Sequence, residues 1–161
     1  AVNSAIDTPM QEELLKERPL FGKLMENEEY QKSYHDYLNR IVEDYVGGGE
    51  FTATLSKITS LIAPYVKKDA TSFYSYEEFV TAADLLKAFV LLRSESVSKQ
   101  LNGEIPSRDS ERDENTSLVD ASFIDLEAMG VQGSDDAKGK GNIDGNMFGG
   151  LSLHGRSPMI E

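Results

Sequence analysis

Glu29-Tyr30-Gln31-Lys32-Ser33-Tyr34-His35-Asp36-Tyr37-Leu38-Asn39-Arg40-Ile41-Val42-Glu43-Asp44-Tyr45 is the stretch from which the fold class follows. Tyr30, Tyr34, Tyr37, Leu38, Ile41, Val42 and Tyr45 fall at steps of 4, 3, 1, 3, 1 and 3. That spacing predicts one apolar stripe along a helix of about four turns. Lys32, Asp36, Asn39, Arg40 and Glu43 lie off the stripe. Gly47-Gly48-Gly49 ends the helix, because glycine accepts a left-handed backbone and propagates a helix poorly.

Helices are also predicted on either side. Upstream, Pro19-Leu20-Phe21-Gly22-Lys23-Leu24-Met25 reads as a short helix, with Pro19 suited to a first helical position. Downstream, Phe51, Leu55, Ile58, Ile62 and Tyr65 repeat at 4, 3, 4 and 3. Pro64 lies inside this second pattern. It removes a donor and crowds the preceding turn, so a kink or break is expected there. Ser75-Tyr76-Glu77-Glu78 has the form of a capping box. The longest helix follows it, near 76–101, with Phe79, Ala83, Leu86, Phe89, Val90 and Arg93 along its inner face and Leu101-Asn102-Gly103 as the stop. No strand is evident in this body, so the fold class is mainly α, a small antiparallel helical bundle.

Charge divides the 161 residues into three parts. Residues 1–103 carry 16 acids and 11 bases and almost all the large apolar side chains. Residues 104–130 form an acidic connector with eight acids and two bases. Within it, 106–115 reads as a mobile loop and 117–126 as a short segment apolar enough to dock back on the body. Residues 131–161 form a Gly-rich tail that cannot bury enough surface to offset its ordering entropy, so disorder is expected. The chain opens on Ala-Val-Asn-Ser without an initiator Met, which is read as the middle of a longer protein.

Composition excludes several functions. The formal net charge of −12 argues against nucleic acid, which requires a basic face. No apolar run is long enough for a membrane span. The absence of cysteine excludes disulfides, thiol nucleophiles and cysteine-ligated zinc. Of the two histidines, His35 and His154, His35 has Asp36 beside it, but neighbours on a helix point apart, so Asp36 is a poor orienter for it and His35 reads as a structural or surface residue. The four tyrosines Tyr30, Tyr34, Tyr37 and Tyr45 could stack a sugar or a base, but their spacing is that of a core stripe. Asp136 to Asp144 outlines a calcium loop, yet Lys138 and Lys140 occupy ligand positions and Met147 replaces the closing Glu, which rules it out. No catalytic, cofactor-binding or metal-binding set assembles from the residues alone.

A resemblance goes further. Asn3-Ser4-Ala5-Ile6-Asp7-Thr8-Pro9, Arg18-Pro19-Leu20, Glu29 to Tyr37, Leu61-Ile62-Ala63-Pro64-Tyr65-Val66-Lys67-Lys68-Asp69, Phe73 to Phe79, Leu92-Arg93-Ser94-Glu95-Ser96-Val97 and Gln100 to Ser107 occur in that order. The ordered set resembles the C-terminal part of the CotH family, named for a spore-coat protein, over about residues 1–130. The resemblance implies an atypical protein-kinase-like fold, of which this chain would be the C-terminal helical subdomain. It also implies a parent that phosphorylates protein serines with ATP and a divalent metal, at the spore coat or the bacterial cell surface. The family's nucleotide lysine, catalytic-loop Asp and metal-binding Asp-Tyr-Asn segment precede the matched region, so the chain is expected to hold no cofactor and to be non-catalytic alone. Asp7, Arg18, Pro19, Tyr30, Tyr34, Tyr37, Pro64 and Arg93 are the positions the resemblance marks as structural. Arg93 is read as an internal ion-pair or capping residue. The implied partner is the N-terminal kinase part of the same parent, with a surface or coat protein as a further one. The alternative is a free-standing interaction module of the bacterial surface or spore coat.

Overall fold

A computed structural model describes residues 1–8, 17 and 19–130. The expected disorder of the tail, the rejected calcium loop, Arg18 and His154 all lie outside the described residues. Among the described residues four helices form the frame: α1 (Pro19–Met25), α2 (Glu28–Arg40), α3 (Glu50–Val66) and α4 (Tyr76–Leu101). A π-helical segment, Ile41–Gly47, continues α2, and 3₁₀ turns occur at Asp109–Glu111 and Glu127–Met129. There is no strand among the described residues. The fold is mainly helical, as the periodicity predicts.

The helix ends follow from local chemistry. Asn27 caps α2, its side chain accepting from the Glu29 and Tyr30 amides at 2.9 and 3.3 Å. Glu28 and Glu29 add negative charge where the helix dipole is positive. The Ser75 box closes in both directions. Glu78 N–H donates to Ser75 Oγ at 3.1 Å, and Ser75 N–H donates to Glu78 Oε2 at 2.6 Å. Those bonds hold the Glu78 carboxyl below its ordinary pKa. Gly103, with φ of +77°, follows the end of α4.

Three expectations need correction. First, Pro64 does not break α3, which continues to Val66 and closes with Lys67 N–H on the Ala63 carbonyl at 3.0 Å. Pro64 and Ser60 are both solvent-exposed, so water can satisfy the Ser60 carbonyl that Pro64 cannot. Second, the tyrosine stripe is not one helical face. From Ile41 the backbone bonds i to i+5, which puts more residues in each turn, and spacings of 3 and 4 no longer stay in line. Third, the stripe is not the core. Tyr30, Tyr37, Ile41 and Tyr45 are exposed, and Tyr34, Leu38 and Val42 are only half-buried. Gly48 follows the widened turn and is required to be glycine, because a Cβ there would lie 2.2 Å from the Asp44 carbonyl oxygen.

The core lies elsewhere. Val2, Ile105 and Val119 are buried together, with Phe89, Leu92 and Ala121 packed against them. Its wall is the C-terminal half of α4, where Ser96, Val97 and Gln100 are buried. Its covers are not helices. One is the irregular segment 1–8, and the other is the connector from Ile105 to Ala121. Helix α4 also packs on α2, on α3 and on the π-helical segment, which places it at the centre of the frame.

Candidate functional site

The densest set of polar contacts surrounds residues 1–8, here termed the strap. Its sequence lacks the periodicity that would place it in a helix, so its buried amides and carbonyls must find partners elsewhere. Side chains of α4 supply most of them. Arg93 Nη1 donates to the carbonyls of Val2, at 3.0 Å, and of Ser4. Two turns further towards the C-terminus, Gln100 receives the Ile6 amide on Oε1 at 2.9 Å and donates through Nε2 to the Ser4 carbonyl at 3.2 Å and to Ser96 Oγ at 3.1 Å. A side-chain amide carries both a donor and an acceptor, and Gln100 uses both on the strap, as a neighbouring strand would.

Helix α2 holds the other edge. Tyr34 donates its hydroxyl to the Ile6 carbonyl at 2.9 Å. His35 Nε2 lies 2.8 Å from Asp7 Oδ1, with the Asp7 side chain almost wholly buried. The buried carboxylate thus has an imidazole partner. Asp36 makes a surface ion pair with Lys32 one turn back, so His35 is oriented by Asp7 and not by its neighbour in sequence.

The connector closes the third side. Asp7 N–H donates to the Ser107 carbonyl at 2.9 Å, and Asp109 N–H donates to Thr8 Oγ1 at 3.0 Å. Asn3 pairs with Val119 in both directions, donating to its carbonyl at 2.9 Å and accepting its amide at 3.2 Å. Arg112 donates through Nε to the Pro106 carbonyl at 2.9 Å and through Nη1 to the Asn3 carbonyl. Its Nη2 is buried without a partner among the described residues. The stretch 106–115, expected to be a mobile loop, is therefore tied to the strap at Arg112 and Asp109.

Burial sets the electrostatics. Desolvation lowers the Arg93 pKa, the Tyr34 hydroxyl opposes that shift, and the nearby Arg112 charge adds to it. Desolvation raises the Tyr34 pKa, with Asp7 adding to the rise and Arg93 opposing it. Neither change releases a reactive group. The Arg93 guanidinium is directed at backbone carbonyls, and Ser96, the buried hydroxyl of the site, is sealed from solvent. No group of three or more His, Asp or Glu able to hold a metal ion occurs among the described residues. The arrangement can hold a chain segment in a fixed path. It has the form of a clamp.

Of the residues marked from sequence, Asp7, Tyr34 and Arg93 meet at the strap. Pro19 lines a shallow depression of about 510 Å³ that also touches Asp7, Thr8, Lys23 and Arg108. Tyr30 and Tyr37 face solvent, the latter with Arg40 5.9 Å from its ring centroid. Pro64 lies in α3 and makes no bond to the strap. Gln100, Asn3 and Arg112 carry much of the clamp, yet none stands out in the sequence as a site residue. The bonds of Arg93, Gln100 and Arg112 to the strap, and of Asn3 to Val119, span 89 to 116 residues, so no local spacing connects them.

The sequence model of one family, described as CotH kinase protein, matches residues 3–97, more than half of the chain. This chain belongs to the CotH kinase protein family. The matched span contains most of the strap, both α2 residues that hold it and Arg93. It stops short of Gln100 and the connector, so this CotH protein completes its clamp with residues outside the family match. No curated protein and no solved structure matches the chain. Among the described residues, no helix is long and apolar enough to cross a membrane.

Proposed function

We propose that this chain is the C-terminal helical subdomain of a CotH-like kinase, non-catalytic by itself, and that its work is to hold the polypeptide entering it in a fixed path. The observation that carries this reading is the strap. Arg93, Gln100, Tyr34 and Arg112 all direct their polar atoms at its backbone. Phosphoryl transfer needs a lysine and metal ions on the phosphates and a base at the attacking hydroxyl. The groups best placed by this fold are already occupied in holding chain. The parent activity implied by the family is ATP- and metal-dependent phosphorylation of protein serine, at the spore coat or cell surface. In such a parent, the strap would join the catalytic part to the helical body as a rigid connection.

The test is thermal unfolding of residues 1–161 with and without millimolar ATP and magnesium. A ligand at 100 times its Kd stabilises the folded state by about 2.7 kcal/mol, a rise of several degrees for a domain of this size. The expected result is no rise. A clear rise would overturn the non-catalytic reading.

A second reading is a free-standing interaction module. It is favoured by the way the strap completes the core from within the chain, since Val2, Ala5 and Ile6 are all buried. The reading frame upstream of Ala1 separates the two. A kinase core there supports the subdomain, and a start codon supports the module.

A further inference from the structure

Asn102-Gly103 follows the last turn of α4 and is the only Asn-Gly pair in the sequence. It serves the fold as a helix stop, and it also carries a chemistry of its own. The side-chain carbonyl carbon of an asparagine can be attacked by the backbone nitrogen of the next residue. A side chain on that next residue crowds the approach, and glycine has none. The other asparagines precede Ser4, Glu28, Arg40, Thr116, Ile143 and Met147. Two of them are also held by their side chains, Asn3 on Val119 and Asn27 on the first amides of α2. The Asn102 side chain makes no hydrogen bond among the described residues, and both residues of the pair are exposed. Gly103 stands at φ +77°, and a Cβ there would meet nothing within 4 Å, so the space around it is open.

The pair lies between two anchors. On one side, Gln100 holds the Ile6 amide and the Ser4 carbonyl of the strap. On the other, Ile105 is 1% exposed in the core. The amides of Glu104 and Ile105 both donate to the Lys99 carbonyl, at 2.9 and 3.2 Å, and so turn the chain from the helix into the core. Gly103 N–H donates to the Gln100 carbonyl at 3.2 Å. With Asn102 at ψ −3°, the Gly103 nitrogen reaches Asn102 Cγ only after rotation about the Asn102 Cα–C bond, which breaks that hydrogen bond. Helix ends fray, so the rotation needs only a local opening.

We propose that Asn102-Gly103 is a self-modification site, at which the chain converts Asn102 to isoaspartate and aspartate and thereby loosens its own clamp. The Gly103 nitrogen gives its proton to hydroxide and attacks Asn102 Cγ. The N–Cγ bond forms, the Cγ–Nδ2 bond breaks, and ammonia leaves behind a succinimide ring. Water then opens the ring. Cleavage at the Asn102 main-chain carbonyl carbon leaves the chain running through Cγ, which is isoaspartate, and cleavage at Cγ leaves aspartate. The balance is asparagine and water to acid and ammonia. Both products place a carboxylate at the C-terminal end of α4, where the helix dipole is already negative. Isoaspartate also inserts a methylene into the main chain between Gln100 and Ile105. The two bonds to the Lys99 carbonyl and the seat of Ile105 then lose their register.

The experiment incubates the folded chain of residues 1–161 at neutral pH and physiological temperature for several weeks. The tryptic peptide spanning 100–108 is followed by mass spectrometry, with fragmentation that separates isoaspartate from aspartate. The aged protein is then melted beside fresh protein and beside equally aged Asn102→Gln, whose longer side chain closes the ring poorly. The expected result is both acids at position 102, isoaspartate in the larger share, formed faster as hydroxide rises. The melting midpoint of the converted protein is expected to fall by roughly 2–4 °C, the shift given by the loss of about one helix-end interaction in a domain of this size. Asn102→Gln is expected to keep its mass and its midpoint through the same incubation. An unchanged 100–108 peptide would overturn the site. Conversion with no change of midpoint would overturn the loosening of the clamp. An equal fall of midpoint in aged Asn102→Gln would place the damage elsewhere in the chain and overturn it as well.

Discussion

The two long helices are put to opposite uses. In the C-terminal half of α4, Ser96, Val97 and Gln100 are buried, and Arg93 and Gln100 direct their polar atoms onto a non-helical segment. Helix α3 has no buried residue; Phe51, Leu55 and Val66 are half-buried, while Ile58, Leu61, Ile62 and Tyr65 are exposed. The apolar periodicity is stronger in α3 than in α4, so an apolar stripe alone does not decide which helix anchors a core. The anchor is the helix whose side chains can satisfy the backbone of an irregular neighbour. Arg and Gln do that because they reach several ångströms and carry more than one donor or acceptor.

The largest effects are therefore expected at the strap. Ile6 is 2% exposed, and Ile6→Ala should cost about 3 kcal/mol through lost burial and the cavity left behind. Gln100→Leu keeps the volume but strands the Ile6 amide and removes a donor from the Ser4 carbonyl, at a cost of about 2–3 kcal/mol. Both are read from urea unfolding midpoints at unchanged m. A loss below about 1 kcal/mol for each would mean that the strap is not part of the cooperative unit, and the contrast between the helices would lose its meaning.

The helical frame was legible because its signals are local. The Ser75–Glu78 box, the glycines at 47–49 and the stop at Leu101-Asn102-Gly103 each act within a few residues. Pro64 was legible as a proline but not in its consequence, because a break depends on whether the stranded carbonyl can reach water. The tyrosines misled for a different reason. One widened turn at Ile41 rotates everything after it, and nothing in the spacing announces it. The clamp was hidden most deeply. Asn3 with Val119 and Arg112 with Asn3 join ends of the chain more than 100 residues apart. A single sequence contains no term linking such positions, although Asp7, Tyr34 and Arg93 could be marked through the family resemblance.

Two smaller tests sharpen the contrast. Gly48→Ala would place a Cβ 2.2 Å from the Asp44 carbonyl, so the backbone of the widened turn must move, at a cost of about 1–3 kcal/mol. That loss, seen in thermal unfolding, would show that the turn between α2 and α3 is fixed although both helices have exposed faces. Ile58→Ala, on the outward face of α3, should change stability by less than about 0.5 kcal/mol. A loss as large as that of Ile6→Ala would mean that the α3 face is covered within this chain.

The smallest effect concerns the start of α4, where the helix is solvated and far in sequence from the strap. The Glu78 carboxyl is held below its ordinary pKa of 4.5, first by the bond from the Ser75 amide and then by the Ser75 side chain. A carboxylate depressed in the folded state binds its proton more readily when unfolded. Its contribution is therefore fully present above pH 4.5 and is lost as pH falls through the lower, folded value. Glu78→Gln keeps a side chain able to accept from the Ser75 amide but removes the charge and the proton linkage. Unfolding curves collected from pH 6 down to pH 3 should therefore converge for the wild type and Glu78→Gln at the acid end and separate above pH 4.5, with the wild type more stable there. Parallel curves across that range would show that the cap does not sense protonation. Glu78→Gln should also retain the same urea dependence as the wild type, because a cap at the exposed end of α4 changes the free energy of that end without changing the surface buried around the strap.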